Sequence, residues 1–392
     1  MKKVTRWFLP GLVFLAQSLQ MSATASLAKQ GDDEQIELPA SNVPAIDVDG
    51  VVHIPALAVP LSAHMSDAAK KRFAKDFAEN AGWAIAWTQN PPTEDGSSPD
   101  LRCAGRESAD NWFRSLIERA RTVYSVNIEE KKIAGVRTDV VTPTGGIPER
   151  NRDRVLIALH GGGYGCNGGG GLSGQVEAIP IAGAGKFKVI TIDYRTSPEY
   201  KWPAATEDVA AVYRNLLKSY KPENIGIYGC STGATLSAGS VAWFQKEKLP
   251  RPGAIGLFGD GATKDDHVDG DGWFINVPLG GDKVLAPDQS YQALYPEPYM
   301  AGTDYNDPLV APVVSPKVLS KFPPTLVVSG TRDVALSEAV YTHTQLIKAG
   351  VEADLHVWEG MWHCFFTDVD LPESNEMYDV TTKFFDRHLG ER

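Results

Sequence analysis

The run IGIYGCSTGATLSAG, Ile225 to Gly239, changes character halfway along. Its first half is apolar and suits a buried strand. Its second half is small and Ala-rich and suits a helix. Gly229 and Gly233 stand between the two halves and flank a single serine, Ser231. Glycines on both sides of a polar residue fit a backbone that must turn sharply and pass close to a neighbour. The pattern G-x-S-x-G therefore predicts a strand, a strained turn that lifts Ser231 above the sheet, and a helix whose positive end faces the turn. From this segment alone, a serine N-cap on an ordinary helix is an equal alternative.

The same alternation extends in both directions. RVLIAL (Arg154 to Leu159), KFKVITIDY (Lys186 to Tyr194), GAIGLFG (Gly253 to Gly259), PPTLVVSG (Pro323 to Gly330) and ADLHVWEG (Ala353 to Gly360) read as strands. WPAATEDVAAVYRNLLKSY, SEAVYTHTQLIKAG and the C-terminal SNEMYDVTTKFFDRHLG read as helices, the first with Ala205, Val209, Val212 and Leu216 on one stripe. Val126 to Pro143 alternates and predicts a hairpin. Apolar strands alternating with amphipathic helices predict an α/β fold: a mostly parallel central sheet with helices on both faces. In such sheets ligands lie at the carboxyl ends of the strands. Those ends carry His160-Gly161-Gly162-Gly163, Ser231, Asp333 and His363.

Upstream, residues 29–60 read as an extended arm, and Ser66 to Trp83 and Ser108 to Val126 as helices. Ser66 is placed to cap the first, and Trp112, Leu116, Ile117 and Ala120 share one face of the second. Residues 1–28 combine a basic start, a short apolar stretch and small residues, which is the pattern of a cleaved signal peptide. The apolar stretch is broken by Pro10 and Gly11 and falls short of the roughly 20 residues of a spanning helix. The expected location is therefore periplasmic or secreted, with no stable membrane anchor after cleavage. The expected organisation is a signal peptide at 1–28, an arm and helical cap at 29–126, and a catalytic domain at 127–392.

The full chain has 392 residues, 43% of them hydrophobic and 22% charged, which is ample for a large core. Loss of Lys2, Lys3 and Arg6, with no acid among residues 1–28, moves the formal charge from −11 to −14. An acidic field excludes nucleic acid and anionic membrane as partners through overall charge and favours a neutral or weakly charged small molecule. The four cysteines, Cys103, Cys166, Cys230 and Cys364, have no C-x-x-C spacing, so neither a zinc site nor a redox pair is expected. Cys103 with Cys166 is the first disulfide pairing to test.

Acyl transfer needs a nucleophile, a base, an acid that orients the base, and amide donors for the oxyanion. The strand-end residues supply all four. Ser231 is the nucleophile, His363 the base and Asp333 its orienting acid, in the chain order Ser, Asp, His. The glycines after His160 allow amides to approach the oxyanion unobstructed. His160 precedes the nucleophile and is read as a structural group. No Gly-Lys-Ser/Thr follows the glycines, which sets aside a phosphate loop.

HGGG at 160–163, DYRTSPE at 193–199 followed by WPAATEDV at 202–209, the Ser231 elbow, GTRD at 330–333 and GMWH at 360–363 together resemble the bacterial hormone-sensitive lipase family of α/β-hydrolases. The resemblance covers roughly Ile128 to the C-terminus. It implies an esterase that needs no cofactor or metal, with oxyanion donors at the amides of Gly162, Gly163 and Thr232. It also implies a cap from the N-terminal helices, with a contribution from residues 265–303, and a bracing role for Arg195 and Glu199. Cys230 replaces the acidic or hydroxyl residue the family carries before its nucleophile, Thr232 replaces Ala, and Ala234 replaces Gly. The expected substrates are small to medium acyl or aryl esters, with Trp83, Trp87, Trp112 and Phe113 as an apolar cap wall. An amidase, lactonase or peptidase with the same triad is the second reading, and a non-catalytic small-molecule binding protein the third. Homo-oligomerisation is left open.

Overall fold

The computed structural model describes residues 45–46, 52–54, 58–80, 106–165, 172–262, 272, 275–276, 279 and 298–390. The signal-peptide reading of 1–28, most of the 265–303 segment, Trp83, Trp87, Cys103, Cys166 and the side chain of Trp112 lie outside the described residues. The chain divides into two units, 1–60 and 61–392. In the first, Ala45–Ile46 (β1) pairs antiparallel with Val52–His53 (β2).

The second unit is built on one eight-stranded sheet. Its strands are Val126–Ile133 (β3), Val136–Pro143 (β4), Val155–Leu159 (β5), Lys188–Ile192 (β6), Ile225–Cys230 (β7), Ala254–Phe258 (β8), Thr325–Arg332 (β9) and Ala353–Trp362 (β10). Their order across the sheet is β10-β9-β8-β7-β5-β6-β4-β3. The β3–β4 hairpin is antiparallel and β4 joins β6 antiparallel; the pairs from β6 through β10 are parallel. The mostly parallel α/β fold expected from the strand texture is thus observed.

The helices are Asp67–Asn80 (α1), Arg106–Val123 (α2), Leu172–Gly185 (α3), Ala204–Leu216 (α4), Thr232–Lys246 (α5), Leu336–Lys348 (α6) and Pro372–His388 (α7). Alternate residues of the central strands feed two cores. Val155, Ile157 and Leu159 of β5 pack with Val209 and Val212 of α4, Leu236 and Val241 of α5, and Leu346 of α6. Leu156 and Ala158 face the other way, with Ile117 of α2, Ile179 of α3 and Phe385 of α7. All five residues of β5 are therefore buried, which is why it reads as a continuous apolar run. Each of its buried Val, Leu and Ile side chains contributes about 1.5–3 kcal/mol on burial.

The N-terminal helices are tied to the C-terminal part of the chain. Ser66 Oγ accepts from the Ala69 amide at 3.0 Å, as its cap position predicts. Glu373, at the start of α7, takes the place of a capping-box glutamate and accepts from the Ser66 amide at 2.7 Å. Leu116, Ile117 and Ala120 bury the predicted face of α2. Phe73 of α1 rests on Trp362 with ring centroids 5.7 Å apart, one residue before His363. No helix among the described residues is long and apolar enough to cross a membrane.

Candidate active site

The sheet reverses its winding between β5 and β7. β5 leads through α3 to β6 on one side, and the chain then returns through α4 to β7 on the other. The loop after β5 and the turn after β7 therefore meet at the carboxyl ends of two adjacent strands, where such sheets hold ligands.

Ser231 occupies that turn with φ 57° and ψ −130°, a conformation that non-glycine residues adopt only when their surroundings impose it. Two restraints impose it here. The Ser231 amide donates to the Phe258 carbonyl at 2.8 Å, and a β-carbon at Gly229 or Gly233 would run into the Leu159 carbonyl. The two glycines thus let β7 and α5 crowd against the end of β5. A side chain at Gly161 would bring its β-carbon to 2.8 Å from the Cys230 carbonyl and 3.1 Å from Ser231 Cβ, so the glycine loop lies directly against the turn.

Asp333 follows β9 and is buried. Its carboxylate accepts from His363 Nδ1 at 2.7 Å, from Ser329 Oγ at 3.1 Å and from the Ala335 amide at 3.0 Å. Asn276 Nδ2 donates to its backbone carbonyl at 2.8 Å. Burial alone would lower the His363 pKa, but the charge and hydrogen bond of Asp333, with a further contribution from Glu338, hold it above the ordinary histidine value. Cys364, the next residue, forms a disulfide with Cys230, the residue before Ser231. The bridge joins the two segments on which Ser231 and His363 stand; both sulfurs and a His363 ring nitrogen lie within 4.8 Å of one another.

The glycine loop is held from below. His160 is buried, stacks on Tyr194 at 4.1 Å between centroids, and donates from Nδ1 to the Gly161 carbonyl at 2.8 Å. Burial lowers its pKa. Gly162 and Gly163 take φ values of 115° and 63°. The Gly163 amide donates to Thr232 Oγ1 at 3.2 Å. Tyr164 closes the loop, stacking on Tyr299 at 4.5 Å and bonding Thr235 Oγ1 at 3.0 Å.

Arg195 braces the neighbouring loop: its amide and Nε both donate to Asp208 on α4, and its guanidinium reaches the Ala204 carbonyl. Glu199, expected to share that role, is exposed, and the acidic partners of Arg195 are Asp208 and Glu207. Sequence reasoning also missed Ser329, Glu338 and Cys364. Ser329 and Glu338 are polar residues of a strand and a helix whose burial alone marks them out; the signal for Cys364 was its position next to His363, matching that of Cys230 next to Ser231.

Residues 156–367 match a family model described as the alpha/beta hydrolase fold. An acetyl-hydrolase of Streptomyces hygroscopicus is 28% identical over 309 residues, covering 75% of this chain and 99% of that protein. The crystal structure of esterase E25 superposes with a TM-score of 0.71 at 32% identity, covering 86% of this chain and 99% of that one. An esterase from the bacterial hormone-sensitive lipase family superposes with a TM-score of 0.61 at 26% identity, covering 72% and 92% of the two chains.

Proposed function

This chain belongs to the bacterial hormone-sensitive lipase family of α/β-hydrolases and is a carboxylic ester hydrolase, and from that premise we propose that Ser231, His363 and Asp333 carry the reaction through an acyl-enzyme. Ser231 Oγ attacks the ester carbonyl carbon while His363 Nε2 takes the hydroxyl proton. Asp333 holds the imidazole by Nδ1 and stabilises the imidazolium. The tetrahedral oxyanion is received by the amides of Gly162, Gly163 and Thr232. The Gly163 amide joins the hole when the Thr232 side chain rotates away from it. Collapse of the intermediate breaks the C–O bond to the alcohol, which leaves with the proton from His363. Water, deprotonated by His363, then attacks the acyl-enzyme and releases the carboxylic acid.

The observation that carries this reading is the 2.7 Å bond between His363 and Asp333 beside a serine at φ 57°. Small to medium acyl or aryl esters are the proposed substrates, in keeping with a full-length relative named for acetyl-group hydrolysis. The mature enzyme works in the periplasm or outside the cell, since a disulfide persists in an oxidising compartment.

A fluorophosphonate probe tests the site. The native protein becomes labelled and Ser231→Ala does not; an unlabelled native protein would favour a binding protein on the same fold. A panel of esters differing in acyl and alcohol size, with matched amides, then defines the preference. Faster turnover of an amide than of its ester would move the assignment to an amidase.

A further inference from the structure

We propose that the Cys230–Cys364 disulfide is a positioning element of the active site: it holds the loop that carries His363 against the Ser231 turn, and without it the folded enzyme loses turnover. This inference rests on the reading of Ser231 and His363 as nucleophile and base.

The bridge joins the residue before Ser231 to the residue after His363, across 134 positions of sequence. β7 and β10 are three places apart in the sheet, which separates their axes by about 14 Å. The bridged α-carbons are nevertheless 6.5 Å apart, close to the upper end of the ~4.4–6.8 Å that a disulfide spans. The chain after β10 must therefore fold back over the ends of β9 and β8 to bring His363 toward Ser231. It turns at Cys364, which has left-handed backbone angles, φ 51° and ψ 35°, unusual for a residue with a side chain.

The named restraints on the base and on the nucleophile come from different strands. Asp333 fixes the His363 ring through Nδ1 at 2.7 Å, but Asp333 follows β9, which lies beyond β8 from the serine's strand. The Ser231 turn is anchored separately, to Phe258 on β8. The disulfide adds a direct covalent link between these two segments. A base must lie within about 2.6–3.2 Å of the hydroxyl it deprotonates, and a displacement of about 1 Å can cost on the order of a hundredfold in rate. The bridge thus acts through His363 and Ser231, not on substrate.

Reduction breaks the S–S bond and adds two electrons and two protons, giving two thiols; dithiothreitol supplies both and becomes its cyclic disulfide. The test compares the native enzyme, the native enzyme treated with dithiothreitol, and the variant Cys230→Ala/Cys364→Ala. The variant removes this bridge alone, whereas the reductant reaches every accessible disulfide. Each sample contains a chelator, so that no metal ion gathers on the freed thiols and His363. Turnover of p-nitrophenyl acetate, the rate of fluorophosphonate labelling and thermal melting are measured on each.

The expected result is a kcat at least tenfold lower with KM within threefold. Labelling should slow in parallel, and melting should remain cooperative above the assay temperature. Reoxidation should restore the native enzyme and leave the variant unchanged. A folded variant with kcat within twofold of native overturns the proposal, and so does a variant already unfolded at the assay temperature, which would make the bridge a stability element. Ser231→Ala and His363→Ala are assayed alongside: full activity in either would instead overturn the reading of the site itself.

Discussion

Gly259 lies so near His363 that a side chain there would press on the imidazole. Gly259 follows β8 with φ 62°, and a β-carbon there would lie 3.3 Å from His363 Nδ1 and 3.2 Å from Asp333 Oδ2. Gly259→Ala would therefore crowd the pair from beneath and place a side chain in a left-handed conformation that disfavours it by about 1–2 kcal/mol. We expect a tenfold or greater fall in kcat with a melting temperature lowered by only a few degrees. Native turnover in Gly259→Ala would show that the ring yields without leaving its working position.

With His363 as the proposed base, its elevated pKa is expected to set the acid limb of the activity profile. The base must be neutral to accept a proton, so kcat/KM should fall as pH drops through a value above the ordinary histidine range near 6.5. For stability the sign is opposite. The raised folded pKa contributes stability that is full below the unfolded value and lost as pH rises through the folded one. Glu338→Gln should move the acid limb slightly downward. Asp333→Asn should move it further and lower kcat by about 10⁴. A pH profile of kcat/KM for the three proteins checks both shifts; an acid limb unmoved in Asp333→Asn would remove Asp333 from its role.

Glu177 of α3 is a buried carboxyl under the turn. Burial pushes its pKa up to about 8, against a smaller lowering by the hydrogen bond it accepts from the Cys230 amide. Its Oε2 and the Tyr228 hydroxyl have no hydrogen-bond partner among the described residues. Below its unfolded pKa the group is neutral in both states. Between that value and about 8, unfolding releases a proton, so Glu177 lowers stability progressively as pH rises. Glu177→Gln keeps an acceptor for Cys230 and removes that penalty, at most roughly 5 kcal/mol at about 1.36 kcal/mol per unit. The variant should melt several degrees above native at pH 8 and level with it near pH 4.5. Equal melting at both pH values would show that the carboxylate finds other compensation.

Thr232 places a hydroxyl where it accepts from the Gly163 amide at 3.2 Å. In Thr232→Ala that amide is released toward the oxyanion, and we expect kcat to hold or rise up to about threefold. A tenfold loss would show instead that the threonine hydroxyl itself donates to the developing charge. Steady-state kinetics on one short ester separate the two outcomes.

Some of this architecture is visible in the chain because its cause is local. The run through Ser231 needs glycines where two backbones collide, and the apolar texture of β5, β7 and β8 follows from burial on both faces. α3 escaped notice for the same reason in reverse. It is buried between the sheet and α2 and α7, so it has no polar face to mark a period, and Gly174, Pro180 and Gly183 argue against a helix locally. Burial in tertiary structure overrides those penalties.

The order Ser231, Asp333, His363 and the glycines at 161–163 were written in one dimension, because each must sit just past the end of a strand and strands announce themselves by composition. Which cysteines meet, which acceptor Gly163 finds, and what crowds His363 from below depend on how loops from β5, β7, β8, β9 and β10 fold over one rim. Those contacts join residues with no local preference for one another, so only the closed fold, which brings distant backbone within a few ångströms, selects them.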